Sequence, residues 1–311
     1  MILAISGFGQ QNSFQTINIM DDFWRFWERS ENVAEAEKVK LFREIVLEPH
    51  KEIFAGFTGE RTDADIAKYL TQVTKLIPRM RKVNSRLGTE LPKHEATFIK
   101  AFPDMSWKGK VVFMPNYGIT DSGTGKMDGV NYLVFGVDTI AVRYGEDADL
   151  AALFHHELFH MYHSLHADAY TGKSRENGEV PLYLLVWGEG LATYVSHKLN
   201  PAASMEQILL TKNLATDADA IMPRLSKLIR ENVDSGKPEI WKPLMSSGKN
   251  EAGIPPRSGY YVGYLIAAGL GKKMSLKELS QLQGPELKKR MVKELTKLDK
   301  KKVTVQTKCL D

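Results

Sequence analysis

This chain of 311 residues has almost no cysteine. The single Cys309 excludes an intramolecular disulfide, so cysteine usage does not identify a redox compartment. It also stands third from the end, one place too late for a prenylation box. Long apolar runs are missing as well. No stretch approaches the roughly 18 residues that a membrane-spanning helix needs, so no transmembrane segment is expected. A strong charge of either sign is absent: 42 Lys and Arg stand against 38 Asp and Glu, a net charge of +4. With no zinc finger, stacking motif or concentrated Arg patch in the body of the chain, nucleic acid is not expected as a partner. A phosphate loop is missing too, because the GTGK at 123–126 lacks the Walker spacing and the trailing Ser or Thr.

What remains is an ordinary globular composition, 43% hydrophobic and 26% charged, long enough for one large or two moderate domains. The first residues, MILAISGFGQ, turn abruptly polar after an apolar start. They resemble the tail of a signal peptide with Gly7-Phe8-Gly9 as a small-x-small cleavage site, although a charged leader is lacking. Residues 1–9 are therefore read as a signal-peptide remnant, and a periplasmic or secreted location is expected over a cytoplasmic one. The basic segment Lys288–Lys302 carries Leu287, Met291, Leu295 and Leu298 at helical spacing, which reads as a helix with a solvated face.

Apolar periodicity predicts helix over 21–55, ended or kinked at Pro49, and over 63–87, stopping near Gly88. A third helix is expected from Pro92 to Phe102. The pattern then changes. KVVFM at 110–114 reads as a strand, Gly118 to Gly129 as a Gly-rich loop, and YLVFGVDTIAV at 132–142 as a second strand. Either strand is a candidate cleft edge for an extended peptide. Asp147 or Asp149 can cap a helix running through Leu165. A polar loop, TGKSRENGE, precedes a helix over 181–199. Further helices break at Pro223, Pro238, Pro243 and Pro255-Pro256. The fold class is α+β and mostly α-helical. The expected division is an N-terminal helical region at 10–105 and a second domain at 106–311.

Five of the eight histidines fall in HHELFHMYHSLH, residues 155–166. Within it, His156, Glu157 and His160 form H-E-x-x-H. Positions i and i+4 share one helix face, so two imidazoles can reach one zinc ion at roughly 2.0–2.1 Å. Glu157 projects beside the ion, where a carboxylate can act as general base toward an activated water. A catalytic site needs a third ligand and an open fourth position. His166 is one candidate. It nearly completes H-E-x-x-H-x-x-G-x-x-H, but His163 replaces the glycine that turns the chain back. On a continuing helix His166 is about 1000° around from His156 and well along the axis. Glu189, in WGEGLATY, is the preferred candidate. Its flanking glycines cost a helix about 1 kcal/mol each relative to Ala, which points to close backbone approach.

HHELFH followed by WGEGLATY resembles the gluzincin-type zinc peptidases. It is closest to a family of predicted zinc-dependent proteases with an H-E-x-x-H…E-G-L-A pattern. The resemblance spans residues 110–280 and includes PPRSGYYVGYLIA at 255–267. It implies a zincin-like fold with a small sheet before the motif helix. It also implies one zinc ion held by His156, His160 and Glu189, with Glu157 as base and a peptide or protein as substrate. The Asn-Glu-x-x-Ser-Asp form of the third-ligand helix is absent, so a thermolysin-like set of supporting residues is not carried over. Thr193, four residues after Glu189, is a candidate to hydrogen-bond a ligand imidazole, and His163 to orient a ligand. Tyr260, Tyr264 and Arg257 are candidates to stabilise an oxyanion. Their competing reading is a packed helix in which Gly259 and Gly263 allow close contact. The function expected is zinc-dependent peptide hydrolysis. The alternative is a peptide- or partner-binding module on a catalytically weak scaffold, for which keeping Glu157 would serve no purpose.

Overall fold

A computed structural model describes residues 14–106, 108–147, 149–167, 180–248 and 253–300. The signal-peptide reading of residues 1–9, the polar loop at 171–179 and Cys309 lie outside the described residues. Helices dominate, with one four-stranded sheet, so the α+β, mostly helical class holds. The chain divides into two compact units, Met1–Lys93 with Ser106–Ala148, and His94–Met105 with Asp149–Asp311. The sheet therefore groups with the N-terminal helices, and the motif helix with the C-terminal ones.

In the first unit the strands are β1 (Phe14–Asn18), β2 (Gly109–Met114), β3 (Ser122–Met127) and β4 (Val130–Gly136), in the order β1-β2-β4-β3. β1, β2 and β4 are parallel, and β3 pairs antiparallel to β4. β2 and β4 carry Val, Leu and Phe on both faces and are buried from Val111 to Met114 and from Tyr132 to Gly136, as central parallel strands require. They are interior strands, so neither can be the open edge expected for a peptide. Among the described residues the edges are β1 and β3.

Several expectations change here. The Gly-rich loop is half strand: Asp128 and Gly129 both take positive φ, 47° and 78°, and turn β3 into β4. Asp-Gly is the residue pair such a two-residue hairpin turn favours. The strand expected at 132–142 ends at Gly136, and Val137–Arg143 is helical. The buried Asp138 carboxylate makes that switch. It accepts backbone N–H groups from Asn116 at 3.1 Å, Gly118 at 3.1 Å and Thr139 at 2.9 Å. It thereby ties the loop after β2 to the first turn of the helix.

The helix expected over 21–55 is interrupted once, between Met20–Arg29 and Glu35–Phe42; from there it stays helical through a π-helical turn at Arg43–Leu47 and a 3-10 turn at Glu48–His50, where Pro49 sits, into Lys51–Phe57. Conversely, the break expected between Gly88 and Pro92 does not occur. Ile77–Ala101 is one helix with Pro92 inside it. Pro92 cannot donate to the carbonyl of Gly88, and with no Cβ at that residue the backbone can yield locally.

The second unit is helical. Its centre is formed by three helices: the motif helix Leu150–His166, the glutamate helix Leu182–Leu199 and the tyrosine helix Ser258–Leu270. The C-terminal helix Gly284–Asp299 buries Leu287, Met291 and Leu295, matching the solvated-face reading. Among the described residues no helix is long and apolar enough to cross a membrane.

Candidate metal centre

The motif helix begins where Asp149 accepts the Ala152 N–H at 3.2 Å, a side-chain N-cap. It then continues without interruption through His163 to His166. That continuity follows from the missing glycine. Its consequence is that His166 packs its ring on Tyr162, centroids 4.4 Å apart, and takes no part in the cluster that could hold a metal.

The glutamate helix crosses the motif helix and is pinned to it at two points. Ser196 Oγ donates to the Ala152 carbonyl at 2.8 Å. Asn200 Nδ2 donates to His155 Nδ1 at 2.8 Å, while His155 Nε2 donates to the His94 carbonyl at 3.2 Å. His155 is thus a buried structural residue with both ring nitrogens engaged. Neither Asn200 nor His94 stands out in the sequence, because the partners lie 45 and 61 residues from His155.

Glycine brings the third helix in. A Cβ on Gly190 would collide with the backbone of Gly263, and one on Gly263 with the Val186 carbonyl. Both obstacles are backbone, which cannot swing aside, so the glutamate and tyrosine helices meet this closely only without side chains here. The close approach inferred from the glycine beside Glu189 is found, and Gly263 is its counterpart. Gly259 serves similarly, lying against Met245 and the Leu244 carbonyl.

These constraints bring together one set of donors. His160 Nε2 lies 3.0 Å from His156 Nε2, and Glu189 Oε2 lies 3.2 Å from His156 Nε2 and 3.3 Å from His160 Nε2. The group could hold a metal ion. Glu157 is buried on the same helix turn. Burial by itself would lower the His160 pKa, but the Glu189 carboxylate, helped by Glu157, lifts it to about 9. Burial would raise Glu189, yet His160 and His156 hold it well below the usual carboxylate range. Without a metal, the cluster therefore keeps a proton between His160 and Glu189, and an ion has to displace it.

The remaining candidates fall on both sides of this centre. The Tyr260 ring stacks on His156, centroids 6.2 Å apart and planes 15° apart. Arg257 places its guanidinium 4.3 Å above the Tyr260 ring. Tyr264 is elsewhere. Its hydroxyl shares a 2.8 Å hydrogen bond with His197 Nδ1, and its ring neighbours Tyr194 and Tyr261. His197 is eight residues beyond Glu189, about 12 Å along the helix, so Tyr264 is a packing residue. Thr193 also differs from expectation. Its hydroxyl donates to the backbone carbonyl of Glu189 at 2.8 Å, which steadies the helix turn carrying Glu189 instead of an imidazole. His163 is buried and stacked on Phe159, centroids 5.3 Å apart.

The two buried structural histidines lead to a pH prediction. Burial, reinforced by His94, pushes His155 down to about 4, and burial with His160 and His166 nearby pushes His163 down to about 3. Unfolded histidine titrates near 6.5, so below that pH the unfolded chain takes up protons that the folded one refuses. These two residues leave stability unchanged above pH 7 and lower it as pH drops from about 6.5 toward 4. Each residue is expected to cost about 2 kcal/mol by pH 5. His160, raised instead, acts oppositely: its contribution is complete below 6.5 and is lost as pH rises through 9. Urea unfolding of the metal-free protein at pH 7, 6 and 5 checks this. An unchanged midpoint between pH 7 and 5 would contradict it.

The chain matches no family model, no curated protein and no solved structure. The reading of the centre rests on its own geometry.

Proposed function

We propose that the protein is a zinc-dependent metallohydrolase, most specifically a peptidase with Glu157 as its general base. One observation carries the reading: three donors from two helices converge to within 3.0–3.3 Å of one another, with Glu157 on the adjoining position. Bonds of roughly 2.0–2.1 Å meeting at a tetrahedral angle put neighbouring donors about 3.3–3.4 Å apart, so the spacing suits one face of a tetrahedral zinc site. Two imidazoles and one carboxylate are a catalytic donor set, since three protein ligands leave a position open. When bound, zinc acidifies a water toward a pKa near 7 and polarises a substrate carbonyl.

The chain's own residues do the rest. Glu157 accepts the proton of the attacking water and returns it to the leaving amine nitrogen. Tyr260, whose ring lies alongside that of His156, is the candidate to stabilise negative charge developing on the carbonyl oxygen. Gly190 and Gly263 hold the glutamate and tyrosine helices together, so Glu189 and Tyr260 keep fixed positions about one motif helix.

Two measurements test the reading together. The purified protein should bind one equivalent of zinc, more tightly than manganese or magnesium. The zinc form should cleave members of a mixed peptide library, cease on chelation and recover when zinc is restored. A protein that binds zinc stoichiometrically but leaves every peptide intact would remove the peptidase assignment.

A further inference from the structure

The C-terminal helix Gly284–Asp299 presents a solvated face of one charge. Leu287, Met291 and Leu295 are buried on one side. At about 100° per residue, Lys289, Lys293, Lys297 and the capping Lys300 fall within about 80° of one another on the opposite side. All four are exposed. From Lys289 to Lys300 they cover about 17 Å of helix.

The acids of this helix are already committed. Glu286 accepts from Arg290 Nε at 2.7 Å, Glu294 pairs with Lys297 at 2.5 Å, and Asp299 pairs with Arg230 at 2.9 Å. Lys288 has an acid of its own, Asp234, at 2.7 Å. Among the described residues, Lys289, Lys293 and Lys300 have no ion pair. Two further lysines adjoin them. Gly269 lies against the Glu294 carboxylate, and Arg290 Nη1 meets Met274 Sδ at 3.6 Å. The turn that follows the tyrosine helix therefore runs beside the C-terminal helix between these two contacts. Its Lys272 and Lys273 are exposed and, among the described residues, also without an ion pair. Five uncompensated lysines gather around one helix face.

The composition of that face selects the partner. Lysine is a compact, strongly hydrated point charge, whereas single phosphates and carboxylates are gripped by the guanidinium fork. Arg290, the one arginine of the helix, is held by Glu286. A nucleic-acid strand calls for stacking aromatics, and the helix has none. Protein interfaces are depleted of lysine and anchored by apolar or aromatic side chains, and the apolar side of this helix is buried in its own core. A lysine cluster on a helix surface complements a diffuse sheet of anions, the charge pattern of acidic lipid headgroups. We propose that this lysine face docks the protein on an anionic lipid surface. The contact is electrostatic alone, with no apolar side chain to insert, so it is reversible and sensitive to salt. It does not depend on the metal centre.

The test is sedimentation of the full chain with vesicles of phosphatidylcholine, alone or with roughly 30% phosphatidylserine. Binding to the anionic vesicles should be at least about 10-fold tighter and should be lost in about 0.5 M salt. Each lysine near such a surface contributes about fivefold, so Lys289→Gln, Lys293→Gln and Lys300→Gln together should weaken binding about 100-fold. The three positions are exposed, and an unchanged urea midpoint confirms that the triple variant is folded. Lys51→Gln, Lys68→Gln and Lys75→Gln make the same charge change at exposed positions of the first unit and should weaken binding less than about threefold. No binding to anionic vesicles, equal binding to neutral ones, or binding that survives the first triple variant or falls as far in the second would each overturn the proposal. Displacement from the vesicles by duplex DNA or polyglutamate at the same concentration of negative charge would overturn it too, and would assign the face to a nucleic acid or an acidic protein.

Discussion

Glu157→Gln is expected to abolish hydrolysis while the protein stays folded and metal-loaded. The exchange is nearly isosteric at a buried position, so packing on the motif helix is preserved. Glu157 is not among the three converging donors, so the amide leaves that donor group complete. What is lost is the capacity to take up a proton. General-base assistance is worth about 10²–10⁴-fold, and the same residue also returns the proton to the amine, so the loss in kcat should reach the upper end of that range. KM should change little. Rates measured beside bound zinc separate the outcomes. Full activity in the variant would end the assignment of Glu157 as base. Loss of activity together with loss of zinc would mean that the side chain supports the metal, not the proton transfer.

The cluster of His156, His160 and Glu189 was largely legible because most of its donors are written locally. H-E-x-x-H puts two imidazoles on one helix face whatever surrounds them, and the observed helix does so. The absent turn after His160 was legible for the same reason: with histidine at 163 nothing forces a left-handed residue, and the helix runs on to His166. Glu189 needed one long-range step, and the glycine beside it supplied that step by marking a helix contact, although not its partner Gly263. Tyr260 and Tyr264 were indistinguishable at i and i+4. Only the crossing of three helices decides that one ring meets His156 and the other His197.

The sheet was legible in its interior and obscure at its edges. β2 and β4 are runs of Val, Leu and Phe, whereas β1 and β3 are FQTIN and SGTGKM, too polar and glycine-rich to register as strands alone. They are strands because a neighbour offers unpaired backbone groups. The Asp128-Gly129 pair was a usable signal for β3. Nothing local announces β1, whose pairing with β2 bridges some 95 residues of chain. The helix at Val137–Arg143 was hidden for a related reason. Four of its seven residues, Val137, Thr139, Ile140 and Val142, are β-branched, and it is the Asp138 carboxylate, holding three backbone N–H groups at once, that stops the strand.

Glu189→Ala is expected to cost the protein its zinc, and His166→Ala is expected to cost almost none. Replacing a residue that merely orients a ligand lowers metal affinity about 10–100-fold, so removal of a donor itself should exceed that range. Glu189 also sustains the centre electrostatically. It offsets the burial of His160, and its loss leaves two imidazole nitrogens 3.0 Å apart with only the weaker influence of Glu157 to oppose burial. His166 has none of these roles. It lies six residues beyond His160 on the same unbroken helix, about 9 Å along the axis, and ten beyond His156, about 15 Å. No rotation of its side chain brings its nitrogens to a point that His156 also reaches. Its removal deletes a contact with Tyr162 at the end of the helix and should change zinc affinity by less than about threefold. Competition against a chelator of known affinity, run on both variants beside the unaltered protein, measures both effects on one scale. The order of the two losses decides the ligand. A greater loss in His166→Ala would require the helix to turn after His163 when metal is bound, and would move the third ligand from the glutamate helix to the end of the motif helix.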